Sequence, residues 1–209
     1  MNVMCQSGKT VKLVVALCLC LSLSLLGERK AAAQQVSVST NAIEWLNLGT
    51  INGEVGVSVS RHFSIHVGAR YNPWTFKKGD TKARYTDPLG ETEKQFENRK
   101  QAYNLSVRWW PWYIYSGWWW YVRGQYMEYN RGGLFNHTAE EGDNVGGGIG
   151  VGYTYMLHKH WNIEFGAGIW AGQSKYTSYR CTNCGTVLDK GTKFFVLPDD
   201  VFVSIIYVF

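Results

Sequence analysis

The chain has 209 residues, and its 21 Lys and Arg exceed its 16 Asp and Glu to give a net charge of +5. Lys9, Lys12, Arg29 and Lys30 lie before residue 34 against Glu28 alone. Most of the excess therefore belongs to the N-terminal segment, and a nucleic-acid-binding role loses its electrostatic footing. All 10 Trp, 13 Tyr and 9 Phe lie beyond residue 33, alongside most of the 23 Gly. That composition excludes a disordered chain and disfavours a helical bundle.

Residues 1–33 read as a secretory signal. Lys9 and Lys12 form a positive n-region, Leu13 to Leu26 an apolar stretch, and Ala31-Ala32-Ala33 a small-residue cleavage site. The apolar stretch is too short for a spanning helix, which needs about 20 residues. Cys18 and Cys20 each follow a leucine, which does not suit a lipobox. The expectation is an exported chain, with residues 34–209 forming one domain.

That domain parses into eight runs of period-two alternation: 38–48, 52–60, 63–72, 100–110, 119–129, 144–157, 160–173 and 200–209. The seventh is the clearest. Trp161, Ile163, Phe165, Ala167, Ile169 and Ala171 share one face, and Asn162, Glu164, Gly166 and Gly168 share the other. Pro73, Pro88, Pro111 and Pro198 all fall between runs or at their edges, as expected of residues that remove a ladder donor. The gaps alternate in length. Arg61-His62 and His158-Lys159 are tight turns, whereas 73–99, 130–143 and 174–199 read as long loops. Short turns on one side and long loops on the other predict an eight-stranded antiparallel transmembrane outer-membrane β-barrel, with short periplasmic turns and long external loops.

Alternation alone does not say which face is outside. The chain ends Val203-Ser204-Ile205-Ile206-Tyr207-Val208-Phe209, and a terminal Phe with Tyr207 two residues earlier resembles the signal read by the barrel-insertion machinery. Trp109, Trp110, Trp112, Trp118, Trp119 and Trp120 crowd around one gap with Tyr113, Tyr115 and Tyr121, as in an aromatic girdle at a membrane interface. The opposite, inward set then includes Glu44, Glu54, His66, Arg70, Arg108, Arg123 and Glu164. An eight-stranded barrel has room for its own side chains and little more, so these charges are expected to pair and plug the lumen.

Little else in the sequence points to chemistry. The glycines from Gly146 to Gly152 lie within a strand pattern and so do not form a phosphate loop. No Ser-His-Asp grouping or cofactor motif is visible. His62, His158 and His160 fall in turns and read as solvated; His137 sits in an acidic loop. Cys181 and Cys184 are the cysteines left after signal cleavage. Export favours a disulfide between them, with free thiols or half of a zinc site as the alternatives.

The chain resembles a family of small outer-membrane proteins from Bacteroides-type bacteria that is known as a domain of unknown function. The resemblance is carried by Arg108-Trp109-Trp110, Ser116-Gly117-Trp118, Tyr129-Asn130-Arg131-Gly132-Gly133, Gly142-Asp143, Lys159 to Glu164, Tyr179 to Gly185 and Ser204 to Tyr207. It implies a single-domain barrel, in some members associated with fimbrial genes. The expected role is non-enzymatic and needs no cofactor: a structural or interaction protein of the outer membrane that works through its surface loops. The alternative is an accessory subunit of fimbrial or envelope machinery. A rim enzyme or narrow channel ranks below both. The expected partners are outer-membrane lipid, the insertion machinery and an envelope protein, not nucleic acid; the sequence leaves the oligomeric state open.

Overall fold

The computed structural model describes residues 35–77, 95–132, 139–180 and 187–209. The proposed signal segment, Cys181, Cys184 and His137 lie outside these residues.

Strict alternation of apolar and small or polar side chains folds the chain into antiparallel strands. They are β1 (Val36–Asn41), β2 (Ile51–Ser58), β3 (Phe63–Asn72), β4 (Thr75–Lys77), β5 (Gln95–Trp109), β6 (Gly117–Gly132), β7 (Ala139–Met156), β8 (Trp161–Tyr179) and β9 (Val187–Val208). Each pairs with its neighbours in sequence except that β3 and β4 do not pair with each other; both pair with β5, and β9 pairs with β1. β4 continues the line of β3 along β5, so the wall has eight staves and is closed.

The register fixes the tilt. One row of pairs runs Ile206, Ser39, Glu54, Gly68, Asn104, Gln125, Gly146, Gly172 and returns to β9 at Phe195 rather than Ile206. A bulge between Gly166 and Gly168 absorbs part of that offset. The remaining stagger of about ten residues forces the staves to tilt and leaves an interior that side chains can fill.

The barrel has two unlike ends. One carries the two described termini and the turns at 59–62, 110–116 and 157–160; we call it the terminal end. At the other, the loop end, the wall is uneven. β1 and β2 have 6 and 8 residues, whereas β6 to β9 have 16, 18, 19 and 22.

Four expectations need correction. Run 38–48 is not one strand. Asn41 ends β1 because its side chain accepts a hydrogen bond from the Ile43 backbone N–H at 3.0 Å and caps a short helix, α1 (Ala42–Leu46). Glu44 lies on that helix, not on a strand. Second, much of the three long loops is strand. β6 reaches Gly132 and β7 starts at Ala139, while β8 reaches Tyr179 and β9 starts at Val187. The apolar alternation ends where the outward side chains turn polar, but the hydrogen-bonded ladder continues. Third, Pro198 lies inside β9. It is tolerated because β9 has no strand on its other side at that point among the described residues.

The fourth correction concerns the tryptophans. Trp109, Trp112, Trp118 and Trp120 are exposed, but Trp110 and Trp119 are 0% and 1% exposed inside the barrel. Successive strand residues point to opposite faces, so a contiguous Trp run cannot all face outward. With Tyr115, Tyr121, Phe202 and Ile206, these two build an aromatic core near the terminal end. Trp119 stacks on Phe202 at 5.7 Å.

The glycine-rich face of β7 makes room for that core. Trp119 stands opposite Gly152, and a Cβ there would lie 2.5 Å from the indole; Tyr121 stands opposite Gly150 with the same clearance. Gly152→Val should therefore destabilise the barrel by about 1–3 kcal/mol through overpacking. Urea unfolding from lipid vesicles would show this as a lowered midpoint. An unchanged midpoint would mean that Trp119 does not fill the position described.

Candidate functional site

The charges predicted to face inward meet in the lumen. Arg108 on β5 donates from Nη1 to Glu164 Oε2 on β8 at 2.8 Å and from Nη2 to Glu54 Oε1 on β2. Its guanidinium lies 4.1 Å from the centre of the Trp119 ring. Arginine suits this position because its planar fork can serve two carboxylates at once. Arg123 lies over the Tyr121 ring at 4.9 Å. A small cavity beside the plug is lined by Glu54, Arg70, Asn104, Arg108 and Arg123.

Two hydrogen-bonded chains lead from the tryptophans to these carboxylates. Trp110 Nε1 can only donate, and its partner is Ser64 Oγ at 2.9 Å. Ser64 Oγ also lies 2.9 Å from His66 Nε2. As a carboxylate Glu54 only accepts, so His66 Nδ1 carries a hydrogen and donates it to Oε1 at 3.0 Å; with the ring neutral, Nε2 accepts from the Ser64 hydroxyl. The other side repeats the pattern. Trp119 Nε1 donates to Thr154 Oγ1 at 2.9 Å, and Thr154 donates to Glu164 Oε1 at 2.9 Å. Every hydrogen points toward the two carboxylates that hold Arg108.

The order Ser64, His66, Glu54 has the connectivity of a nucleophile, base and orienting acid, which sequence reading did not find because the three come from two strands. Ser64 is fully buried and already accepts from Trp110, so its oxygen faces no substrate-sized space. The three side chains tie β3 to β2 inside the lumen.

A second ion-pair group lies nearer the loop end. Glu44 on α1 accepts from Lys100 Nζ at 2.8 Å and from Arg70 Nη1 at 3.5 Å. Lys100 was missed in the sequence, although it lies eight residues from Arg108 and so shares its face. Beyond it opens a vestibule of about 770 Å³, lined among others by Asn72, Lys100, Tyr129, Gly142, Tyr176 and Gly191.

Tyrosine–carboxylate pairs brace the vestibule walls. Tyr129 donates to Glu140 at 2.6 Å, Tyr176 to Asp189 at 2.9 Å, and Tyr179 to Glu141. Arg131 and Lys193 also reach Glu140, at 3.3 and 3.2 Å. Burial acts to raise the Glu140 pKa, but these partners outweigh it and hold the carboxyl below its ordinary value. The bonds to Asp189 and Glu141 push the Tyr176 and Tyr179 hydroxyls up.

Two of the three turn histidines, His62 and His160, are not simply solvated. His62 Nδ1 lies 2.8 Å from the Trp110 carbonyl, and His160 Nδ1 lies 2.8 Å from that of Val208, so each ties a turn to the neighbouring stave. Tyr115 folds back from the 110–116 turn and fills the terminal end. Its positive φ of 57° and that of Gly117 at 73° make this reversal possible. Tyr207 packs on Trp161 at 5.0 Å and on Phe209 at 4.9 Å, on the outer surface.

Comparison with known proteins follows the fold. The chain belongs to the family described as a protein of unknown function, DUF3575, whose model matches residues 15–209. Among solved structures it is similar to a major outer membrane protein from Thermus thermophilus, at 13% identity and a TM-score of 0.42, covering 85% of this chain and 100% of that one. No curated protein matches the chain.

Nitrogen-15 NMR of histidine-labelled protein should show one neutral ring with its hydrogen on Nδ1, and Trp110→Phe should perturb that signal selectively. A hydrogen on Nε2 in the parental protein would contradict the order of donors.

Proposed function

We propose that this member of the DUF3575 family is a non-enzymatic barrel of the outer membrane, closed to solutes, that acts as a structural and interaction protein through its loop-end rim. The observation that carries this reading is the outward apolar band. On β6 it runs through Trp118, Trp120, Val122 and Tyr126, then gives way to Glu128; on β7 it runs from Tyr155 through Val151 and Ile149 to Val145, then gives way to Asp143. On β8 it runs from Trp161 through Phe165 and Ile169 to Ala171, then gives way to Gln173 and Lys175. Each stretch is about the 9–11 residues a tilted strand needs to cross a bilayer.

The terminal end faces the periplasm in this reading, because its turns are short. Trp109, Trp112, Trp118, Trp120, Trp161 and Tyr207 sit there as an interfacial girdle. Trp109 and Trp120 lie 5.2 Å apart on the outer face. The outward Tyr207 and Phe209 fit recognition by the insertion machinery. At the opposite end, the tall walls of β6 to β9 rise above the band and carry the polar, tyrosine-braced surface that a partner would meet. Function at such scaffolds resides in the rim and loops. A partner there could be free in the medium or a component of a fimbrial or envelope assembly. Crosslinking from rim positions in native membranes distinguishes an assembled neighbour from a soluble ligand.

Closure is the part most open to test. The lumen holds two ion-pair groups in series, Glu44 with Arg70 and Lys100, and Arg108 with Glu54 and Glu164. Planar-bilayer recordings of the parental protein should show no stable conductance. A persistent open channel would overturn the closed-barrel reading.

A further inference from the structure

We propose that the loop-end vestibule is a binding site for a short neutral oligosaccharide, seated between Tyr129 and Tyr176. The inference deepens the rim reading above by naming a ligand class, and it rests on that reading for the ligand's approach from the loop end. Three features carry it.

The first is a slot. The register sets Lys100, Tyr129, Gly142, Tyr176 and Gly191 side by side on β5, β6, β7, β8 and β9, and all five line the vestibule. Tyr176 thus has a glycine on each side. The two tyrosines stand two staves apart, about 10 Å at the spacing of paired strands. Between them the wall is bare backbone. Gly142 stays bare by necessity, because a Cβ there would collide with the Lys175 carbonyl. A flat ring fits between the tyrosines, and the vestibule's volume of about 770 Å³ lies in the range of small-ligand sites and admits a short chain of such rings.

The second is that the tyrosines are held before a ligand arrives. Tyr129 donates to Glu140 at 2.6 Å, and the Arg131 guanidinium lies 5.1 Å from its ring centre. Tyr176 donates to Asp189 at 2.9 Å, and Lys193 Nζ lies 4.5 Å from its ring centre. Side chains fixed in this way lose little freedom on binding. Tyrosine offers an apolar ring to sugar C–H groups and an oxygen that accepts from a hydroxyl.

The third is the kind of polarity the site presents. Lys100 touches Glu44, and Arg131 and Lys193 both touch Glu140. These cations are already matched to carboxylates, so a charged ligand would give up its hydration for little gain. What the site has to spare is hydrogen-bonding capacity. Lys100 keeps further N–H groups beyond the one given to Glu44. Asn144, two residues from Gly142 on the same face of β7, is 7% exposed, and its Oδ1 has no hydrogen-bond partner among the described residues. Gln125 Oε1 and Asn104 Oδ1 repeat this deeper in the lumen. Spare donors beside unmet acceptors fit a ligand whose groups both donate and accept, as hydroxyls do. A neutral sugar combines that chemistry with a flat apolar face.

The test is isothermal titration of the protein, purified from membranes into lipid nanodiscs. Cellotriose, maltotriose, mannotriose and triacetylchitotriose are the neutral probes, and trigalacturonate is the acidic one. At least one neutral probe should bind with a millimolar or tighter Kd. Gly191→Leu fills the hollow beside Tyr176 and should weaken that binding by about tenfold or more. Asn144→Leu removes the unmet acceptor and should weaken it severalfold without lowering the urea midpoint of the barrel, because no other group loses a partner. If Gly191→Leu does not insert, Asn144→Leu decides alone. The site is overturned if no neutral probe binds at about 10 mM. It is also overturned if trigalacturonate binds more tightly than every neutral probe, or if the substitutions leave affinity unchanged. Rim crosslinks to an envelope protein without saccharide binding would remove this inference and leave the rim reading standing. Saccharide binding by a protein absent from the outer-membrane fraction would keep the site and remove the membrane reading.

Discussion

A single arginine side chain links three staves that are not neighbours in the wall. Arg108 reaches from β5 to Glu54 on β2 and Glu164 on β8. Strand number and register set how widely the wall curls. Contacts across the lumen then join staves that the ladder does not. Taking these charges out of water is costly, and removing one partner leaves another buried and unpaired. The network satisfies its members instead: His66 and Thr154 donate to the two carboxylates, and Trp110 and Trp119 orient Ser64 and Thr154 from behind. The aromatic core beside it shields the guanidinium from solvent. Glycines on β7 allow that core to fit. The glycine side of the alternation and the bulky side are thus two parts of one packing solution.

The uneven wall follows from the same economy of side chains. Where the lumen is filled, at the terminal end, all eight staves are present and evenly paired. Toward the loop end β1 and β2 stop, α1 takes over, and β6 to β9 continue as tall hairpins braced by tyrosine–carboxylate pairs. The vestibule is the space between this tall side and the low one. Lys100, which pairs with Glu44, lines it together with mostly polar side chains. A barrel built this way carries ion pairs and aromatics across its centre and is uneven at its rim.

Fold and inward face were legible because period-two alternation records both. Glu54, Arg70, Arg108, Arg123 and Glu164 could be read from their phase alone. Glu44 could be counted inward only by accident, since the Asn41 cap that turns β1 into a helix depends on local hydrogen bonding that alternation does not encode. The tryptophan run misled for a related reason. Density of aromatics was read as one surface, although phase already separated Trp110 and Trp119 from Trp109, Trp118 and Trp120. The extent of the hairpins was hidden because outward residues such as Glu128, Asp143 and Lys175 break the apolar rhythm without breaking the ladder. The Ser64–His66–Glu54 chain and the part played by Lys100 needed the register across strands, which no single strand contains.

The central claim is that Arg108 and Glu164 stabilise the barrel as a coupled pair across the lumen. A double-mutant cycle with Arg108→Met and Glu164→Gln, read by urea unfolding from vesicles, tests it most directly. Each single change should cost on the order of 3–5 kcal/mol, and the double change clearly less than their sum, because neither partner is then left charged and alone. Costs that simply add would show that the two residues act independently and that the cross-lumen bridge does not hold the fold.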